Sequence, residues 1–254
     1  MNETSTRNSI LEARSLTKVF RDKKLGKVKA VDDVSFDCRE GEIYGLLGPN
    51  GAGKTTTLRM LSTALRPTSG DATICGFDLR NDARKVRSSI GFLSGSTGLY
   101  GRLSPREVMQ YFGSLYGMDK GAIRERCAEL FSLLGIESFA DRRCDKLSSG
   151  MKQKVSIVRS ILHDPPVMIF DEPTTGLDVL TSRTILSFIR ECRDRKKCVI
   201  LSTHIMSEAE KLCDHIGVIH EAKIRERGTP REILDRHKAS DLEEAFVRIL
   251  EETS

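Results

Sequence analysis

The stretch GPNGAGKTT, Gly48 to Thr56, constrains this chain more than any other. The apolar run Ile43, Tyr44, Gly45, Leu46 and Leu47 precedes it, and Leu58, Met60, Leu61 and Leu65 follow. That order predicts a strand, a tight turn and a helix. Gly48, Gly53, Lys54 and Thr55 satisfy the phosphate-loop spacing G-x-x-x-x-G-K-[ST]. From Gly48 through Pro49, Asn50, Gly51 and Ala52 to Gly53, the glycines let the backbone curl, so that successive N–H groups point inward at phosphate oxygens. A helix beginning near Gly53 adds the positive end of its dipole. Lys54 brings a full charge to the outer phosphates, the Thr55 hydroxyl is placed to hold Mg²⁺, and Thr56 closes the loop. The bland alternative, a glycine-rich turn with no ligand, leaves the flanking strand and helix without a reason.

The 254 residues allow one large domain or two lobes. A formal net charge of +5, with Lys and Arg spread along the chain, does not call for a nucleic-acid partner. The densest basic groups, Arg21 to Lys29 and Arg190 to Lys197, read as a solvated loop and a helix end. Seven cysteines at irregular spacing indicate neither a disulfide framework nor a zinc site, and fit reduced thiols in a cytosolic protein. The N-terminal MNETSTRNSI is polar, reads as a disordered tail to about Ser9, and lacks the apolar segment of a signal peptide. No apolar run approaches the ~18–20 residues that span a bilayer, so action at a membrane requires another subunit to cross it.

Ahead of the loop, Ile10 to Phe20 and Ala30 to Phe36 predict antiparallel strands joined by a charged loop, Arg21 to Lys29. Phe20 is either a core residue or a platform for a purine ring. After the first helix, Asp71 to Phe77 and Ile90 to Leu93 read as strands. Ser104 is a good N-cap and Pro105 a good first helical residue, and a helical period runs from there to about Leu134. Leu147, Ser148, Ser149, Gly150 and Met151 open a further helix to His163, whose free N–H groups can meet an anion, although the same residues make an ordinary N-cap. The wholly apolar Val167 to Phe170 predicts a buried parallel strand. It ends in Asp171 and Glu172, where ligands of open α/β sheets sit. Asp171 is placed to hold Mg²⁺ and Glu172 to polarise an attacking water. His204, just past the strand Cys198 to Leu201, is a candidate γ-phosphate contact. Helices are expected from Pro230 to Glu252, with no evident chemistry.

In this order the motifs resemble the ATP-binding cassette (ABC) family over nearly the whole length. Leu147 to Met151, LSSGM, is similar to the family signature LSGGQ. Val167 to Pro173 matches the second nucleotide motif, Gly176, Leu177 and Asp178 the dimer-contact loop, and His204 the switch histidine. The resemblance implies an α/β fold with a RecA-like core, a small antiparallel β subdomain and a helical insert. The implied division is a core of about 10–98 and 164–240, an insert of about 99–163 and C-terminal helices of about 230–252.

The resemblance also implies a mechanism. Two cassettes, here expected as a homodimer, sandwich two ATP molecules head to tail, each between one phosphate loop and the other chain's signature. Closure on ATP and opening after hydrolysis drive a membrane permease docked between core and insert, on the cytoplasmic face of the membrane. The family places a glutamine at the core-to-insert junction where this chain has Gly95, and Ser94, Ser96 and Thr97 are stand-ins for its metal contact. TGLYGRLSPRE and YFGSLYGM are similar to ATPase subunits of bacterial sodium exporters and related ABC-2 exporters, which implies sodium efflux. The alternatives are export of a drug, lipid or polysaccharide, a soluble cassette acting on ribosomes or DNA, and a regulatory cassette without turnover.

Overall fold

The computed structural model describes residues 9–22, 26–94 and 98–252. The chain opens with strands β1 (Ser9–Asp22) and β2 (Gly26–Arg39), paired antiparallel. Ser9 therefore belongs to a strand rather than to a tail. The charged stretch expected as a loop is largely ladder, with Phe20 opposite Val28 and Arg21 opposite Lys27. A hairpin end in water needs only backbone pairing, so it tolerates charged side chains that hide its period.

Strand β3 (Ile43–Leu47) is buried throughout and leads into helix α1 (Lys54–Leu61). The strand expected at Asp71 to Phe77 is two, β4 (Ser69–Ile74) and β5 (Phe77–Asp78). Between them Cys75 and Gly76 take left-handed φ values of 53° and 76°, which turn β5 back onto β4. Helix α2 (Ala83–Ser89) buries only Val86, too little to leave a periodic signal, and precedes β6 (Ile90–Leu93).

The insert holds α3 (Pro105–Leu115), α4 (Lys120–Leu134) and α5 (Ser149–Ile161). Ser104 caps α3 as expected, in a reciprocal box: Glu107 N–H donates to Ser104 Oγ at 3.3 Å and Ser104 N–H to Glu107 Oε2 at 2.8 Å. The helical period to Leu134 is interrupted at Gly117, whose φ of 76° ends α3. Buried Arg159 on α5 donates to the Gly98 carbonyl at 3.0 Å and stacks on Phe112, pinning the junction loop to the insert.

The second half runs β7 (Val167–Asp171), α6 (Val179–Asp194), β8 (Cys198–Thr203), α7 (Met206–Leu212), β9 (His215–His220) and β10 (Lys223–Gly228). It closes with α8 (Pro230–His237) and α9 (Leu242–Glu252). One sheet is antiparallel in the order β2-β1-β4-β5, and the other runs β10-β9-β3-β8-β7-β6, parallel except at its β10 edge. Because strand side chains alternate, the parallel strands feed two cores. Ile43, Leu47, Met168, Phe170, Val199 and Leu201 join the insert and α6 on one face. Tyr44, Leu46, Val167, Ile169, Cys198 and Ile200 join the antiparallel sheet on the other.

His163 ties insert to sheet. Its ring stacks on Tyr116 with centroids 3.8 Å apart, and its Nε2–H donates to the Ile90 carbonyl at 3.1 Å. Burial outweighs that bond and pushes the imidazole down from 6.5 to about 4. The unfolded chain thus binds the proton more readily between these values, and acidification through that window destabilises the fold. Urea titrations are expected to show a midpoint that drops between pH 7 and pH 5, and a shallower drop in His163→Gln; equal pH dependence in the two would contradict this assignment.

Candidate nucleotide site

The parallel register sets the site. Leu47 of β3 is level with Thr203 of β8, and Asp171 of β7 with Ser202, so three carboxyl ends open into one cleft. The cleft, of about 430 Å³, is lined by Thr55, Ser94, Gln153, Asp171, Glu172 and Thr175 among others.

The phosphate loop is held open by its surroundings. A Cβ on Gly48 would lie 2.2 Å from the Ile219 carbonyl of β9. Gly48 is therefore required by close approach. Gly53 has φ 115°, and a Cβ there would meet the Ala30 carbonyl at 2.5 Å. Ala222 N–H donates to the Ala52 carbonyl at 3.2 Å, and Asp32 N–H donates to the Ala222 carbonyl at 2.8 Å. Strand β2, the loop and the β9–β10 turn thus brace one another. Gly53 is the N-terminal boundary of α1 and has no side chain to cap it, which leaves the end to the loop.

Lys54, nearly inaccessible to solvent, turns back into this cradle. Its Nζ donates to the carbonyls of Gly48 at 2.7 Å and Pro49 at 3.2 Å and lies 3.2 Å from Glu172 Oε1. Glu172 Oε2 meets His204 Nδ1 at 3.3 Å and accepts from Thr175 Oγ1 at 3.1 Å. Burial would raise the Glu172 carboxyl, but the Lys54 charge and hydrogen bond, the Thr175 hydroxyl and His204 together hold it below the usual carboxylate range. Glu172 itself sits at φ 48°, a backbone conformation rare for a residue with a Cβ. Its N–H is fixed there by Ser202, through the carbonyl at 3.1 Å and Oγ at 3.0 Å. Buried Asp171 accepts from Thr55 Oγ1 at 3.0 Å and Ser202 Oγ at 2.7 Å, both on Oδ1. These oxygen donors suit a hard divalent cation.

The structure therefore brings together Lys54, Thr55, Asp171, Glu172 and His204. Gly48 and Pro49 meet Lys54 in the cradle, whereas the signature and dimer-contact candidates and Phe20 lie apart from this cluster. Ser148 caps α5, accepting from Met151 N–H at 3.3 Å, with Ser149 as first helical residue and Leu147 buried beside it. Gly150 packs on α6, where a Cβ would lie 3.0 Å from Thr181 Oγ1. Asp178 caps α6, accepting from Thr181 N–H at 2.9 Å and Oγ1 at 2.7 Å. The signature stretch and the loop Gly176–Leu177–Asp178 thus share one corner, next to Val179 and Leu180, which are 74% and 75% exposed. Phe20, 41% exposed, is not a core residue; the Lys18 ammonium lies 5.3 Å from its ring centroid. It stands on the strand paired with β2, whose Ala30 touches Gly53. Gly95, Ser96 and Thr97 lie outside the described residues, whereas buried Ser94 lines the cleft.

Three residues of the site escaped sequence reading: Thr175, whose hydroxyl bonds Glu172, Ser202 and Gln153. Ser202 is the last residue but one of the buried strand β8, and only its position beside Asp171 signals it. Gln153, one turn into α5, donates to the Pro173 carbonyl at 2.8 Å and so couples the signature helix to the segment after Glu172. A phosphate loop, an acidic pair ending a strand two places away in the sheet and a histidine following the strand between them define a phosphate-loop ATPase.

Comparison with known proteins narrows this class. The ABC transporter family profile matches residues 31–175. The chain is 42% identical over 229 residues to the ABC transporter ATP-binding protein NatA of Bacillus subtilis (strain 168), covering 90% of this chain and 93% of that protein. It is 36% identical to the probable multidrug ABC transporter ATP-binding protein YbhF of Escherichia coli (strain K12), covering 95% of this chain but 42% of that protein's length. It is 37% identical to the Nod factor export ATP-binding protein I of Ralstonia nicotianae, covering 88% of this chain and 70% of that protein. A solved ATP-binding subunit of an ABC transporter superposes with a TM-score of 0.86 at 29% identity, covering 95% of this chain and all of that one. A dimeric ATP-binding cassette in a post-hydrolysis state with ADP and Pi superposes with a TM-score of 0.79 at 25% identity, covering 86% and 98%. The chain belongs to the ABC transporter family, as one of its ATP-binding, ATP-hydrolysing cassettes.

Because Asp171 is buried, its two hydroxyl donors carry weight. Ser202→Ala is expected to lower the unfolding free energy by ~1.5–3 kcal/mol, the range for a hydrogen bond to a charged group. An unchanged urea midpoint would show that Thr55 alone satisfies the carboxylate.

Proposed function

We propose that this chain powers an exporter by hydrolysing ATP against a second cassette, with a separate integral membrane permease carrying the cargo. The observation that carries the reading is the convergence of Lys54, Asp171, Glu172 and His204 on one cleft at the carboxyl ends of β3, β7 and β8.

Each group has a chemical task. Phosphate oxygens entering the cradle compete with Glu172 for Lys54, which stabilises them by charge. Glu172, released from Lys54 but still carrying its negative charge, accepts a proton from the attacking water. His204 holds the other carboxylate oxygen and faces the γ-phosphate. Thr55 and Asp171 would hold Mg²⁺, which supplies charge neutralisation of the phosphates. The α5 N-terminus from Leu147 to Met151 meets the partner's ATP, and Gly176, Leu177 and Asp178 meet the partner's cassette. The dimeric neighbour and the exposed Val179–Leu180 pair beside that loop support a homodimer.

The insert, about 99–163, acts as the arm toward the permease. Tyr100, Tyr111, Leu115 and Tyr116 are 43% to 65% exposed there, and Tyr100 packs edge-on to Tyr111 at 5.7 Å. Such a patch supports docking of an apolar partner surface. Among the described residues no helix is long and apolar enough to cross a membrane. The proposed place is peripheral, on the cytoplasmic face with the permease as anchor, and rests on the similarity to transporter ATP-binding subunits. Names of the relatives favour export, and the resemblance to sodium exporters makes sodium the first cargo to test.

Glu172→Gln is expected to slow ATP hydrolysis by ~10²–10⁴-fold while ATP still binds, measured by phosphate release and nucleotide titration. Near-normal turnover would remove Glu172 from the role. Affinity capture from detergent-solubilised membranes is expected to recover a polytopic permease, with sodium flux then measured in vesicles. Recovery with ribosomes or nucleic acid alone would overturn the exporter reading and leave the ATPase chemistry standing.

A further inference from the structure

Away from the nucleotide cleft, the insert carries a half-enclosed cavity of about 380 Å³ between α3 and α4. This lies within the ~300–1,000 Å³ of small-molecule sites. Its floor is apolar: Ile123 and Cys127 are buried, and Met118 is half-buried. Burial pushes the Cys127 thiol up to about 11, so the floor stays uncharged at neutral pH. The rim is cationic, with Arg106 from α3 facing Lys120 and Arg124 from α4, and no carboxylate lines the cavity.

These cations are not equivalent. Arg106 is held by Asp141 through bonds of 2.8 and 3.1 Å. The nearby Arg126 and Arg143 also meet carboxylates. Lys120 and Arg124 make no ion pair among the described residues. They stand four apart on one helix, where like charges repel. Asp119, the nearest acid in sequence, is committed to capping α4 through Gly121 N–H at 2.8 Å and Ala122 N–H at 2.9 Å. An anion between Lys120 and Arg124 would relieve the repulsion, and an alkyl chain attached to it would cover Met118, Ile123 and Cys127.

We propose that this cavity binds a single-chain amphiphile with an anionic head, seated with the head at Lys120 and Arg124 and the chain on Ile123, Met118 and Cys127. The site is separate from the ATP chemistry and does not depend on the transport reading. It adjoins the face of α3 that bears Tyr111 and Leu115, so occupancy alters the surface beside them.

The test uses the full chain and decanoate below its micelle concentration. Methionine methyls are labelled with ¹³C, and the Met118 signal is assigned with Met118→Leu. Saturable one-to-one binding by calorimetry, with a shift of the Met118 methyl, is expected. Lys120→Glu and Arg124→Glu are exposed changes that leave ATP binding intact as a check on folding. Each is expected to weaken decanoate about ten-fold or more, as for a lost charge-assisted hydrogen bond. Decanol, with the chain but no charge, is expected to bind as weakly as decanoate does to the variants. Vesicles with and without anionic lipid separate the sources. Charge-dependent vesicle binding without decanoate binding would overturn the cavity proposal in favour of a bilayer contact. An unmoved Met118 signal, or full affinity in both charge-reversal variants, would overturn it as well.

Discussion

Everything at the nucleotide site depends on parallel pairing without slippage between β3, β8 and β7. A shift by one residue in any pair would turn its side chains to the opposite face. Asp171 would then leave Ser202, and the phosphate loop would leave both. The register is secured because each strand is apolar on both faces and feeds two cores at once. The site's polar chemistry begins where those apolar runs stop, at Gly48, Asp171 and Ser202.

Within that frame the ionisable groups form a chain of mutual restraint. Lys54 is buried and cannot stand alone, so it takes two loop carbonyls and Glu172. Glu172 takes Lys54, Thr175 and His204, and its strained backbone is fixed by Ser202. The arrangement presents a cation and a base already aimed at one space, with their charges balanced against each other. Polyanionic phosphate is the natural competitor for that cation, which links occupancy of the loop to the freedom of the base.

Legibility followed burial and turn chemistry. The phosphate loop, the buried strand ending in Asp171 and Glu172, and the Ser104–Pro105 cap were readable because each is dictated within a few neighbouring residues. The Arg21–Lys29 hairpin was not, since its ladder is made by backbone while its side chains face water. Strand β10, with its run of Lys223, Arg225, Glu226 and Arg227, was missed for the same reason, and α2 because it buries a single residue. The break at Gly117 was submerged in a helical period that continues on the far side. In the site, Ser202 and Gln153 act through strands and helices distant in sequence, and no local pattern encodes them. Phe20 was readable only as a core residue or a platform for a purine ring, and the outward face of its strand, which leaves it exposed, excludes the first.

The bracing of the phosphate loop has one more consequence. Gly48 lies against β9, Gly53 against β2, and Ala222 bonds to Ala52 while accepting from Asp32. A glycine-rich segment would ordinarily be among the most mobile in a protein. Here its conformational entropy is surrendered when the two sheets assemble, so little remains to be lost when an anion arrives. The loop is a rigid template, and whatever rearrangement accompanies nucleotide must be taken up by the insert and the helices that carry it.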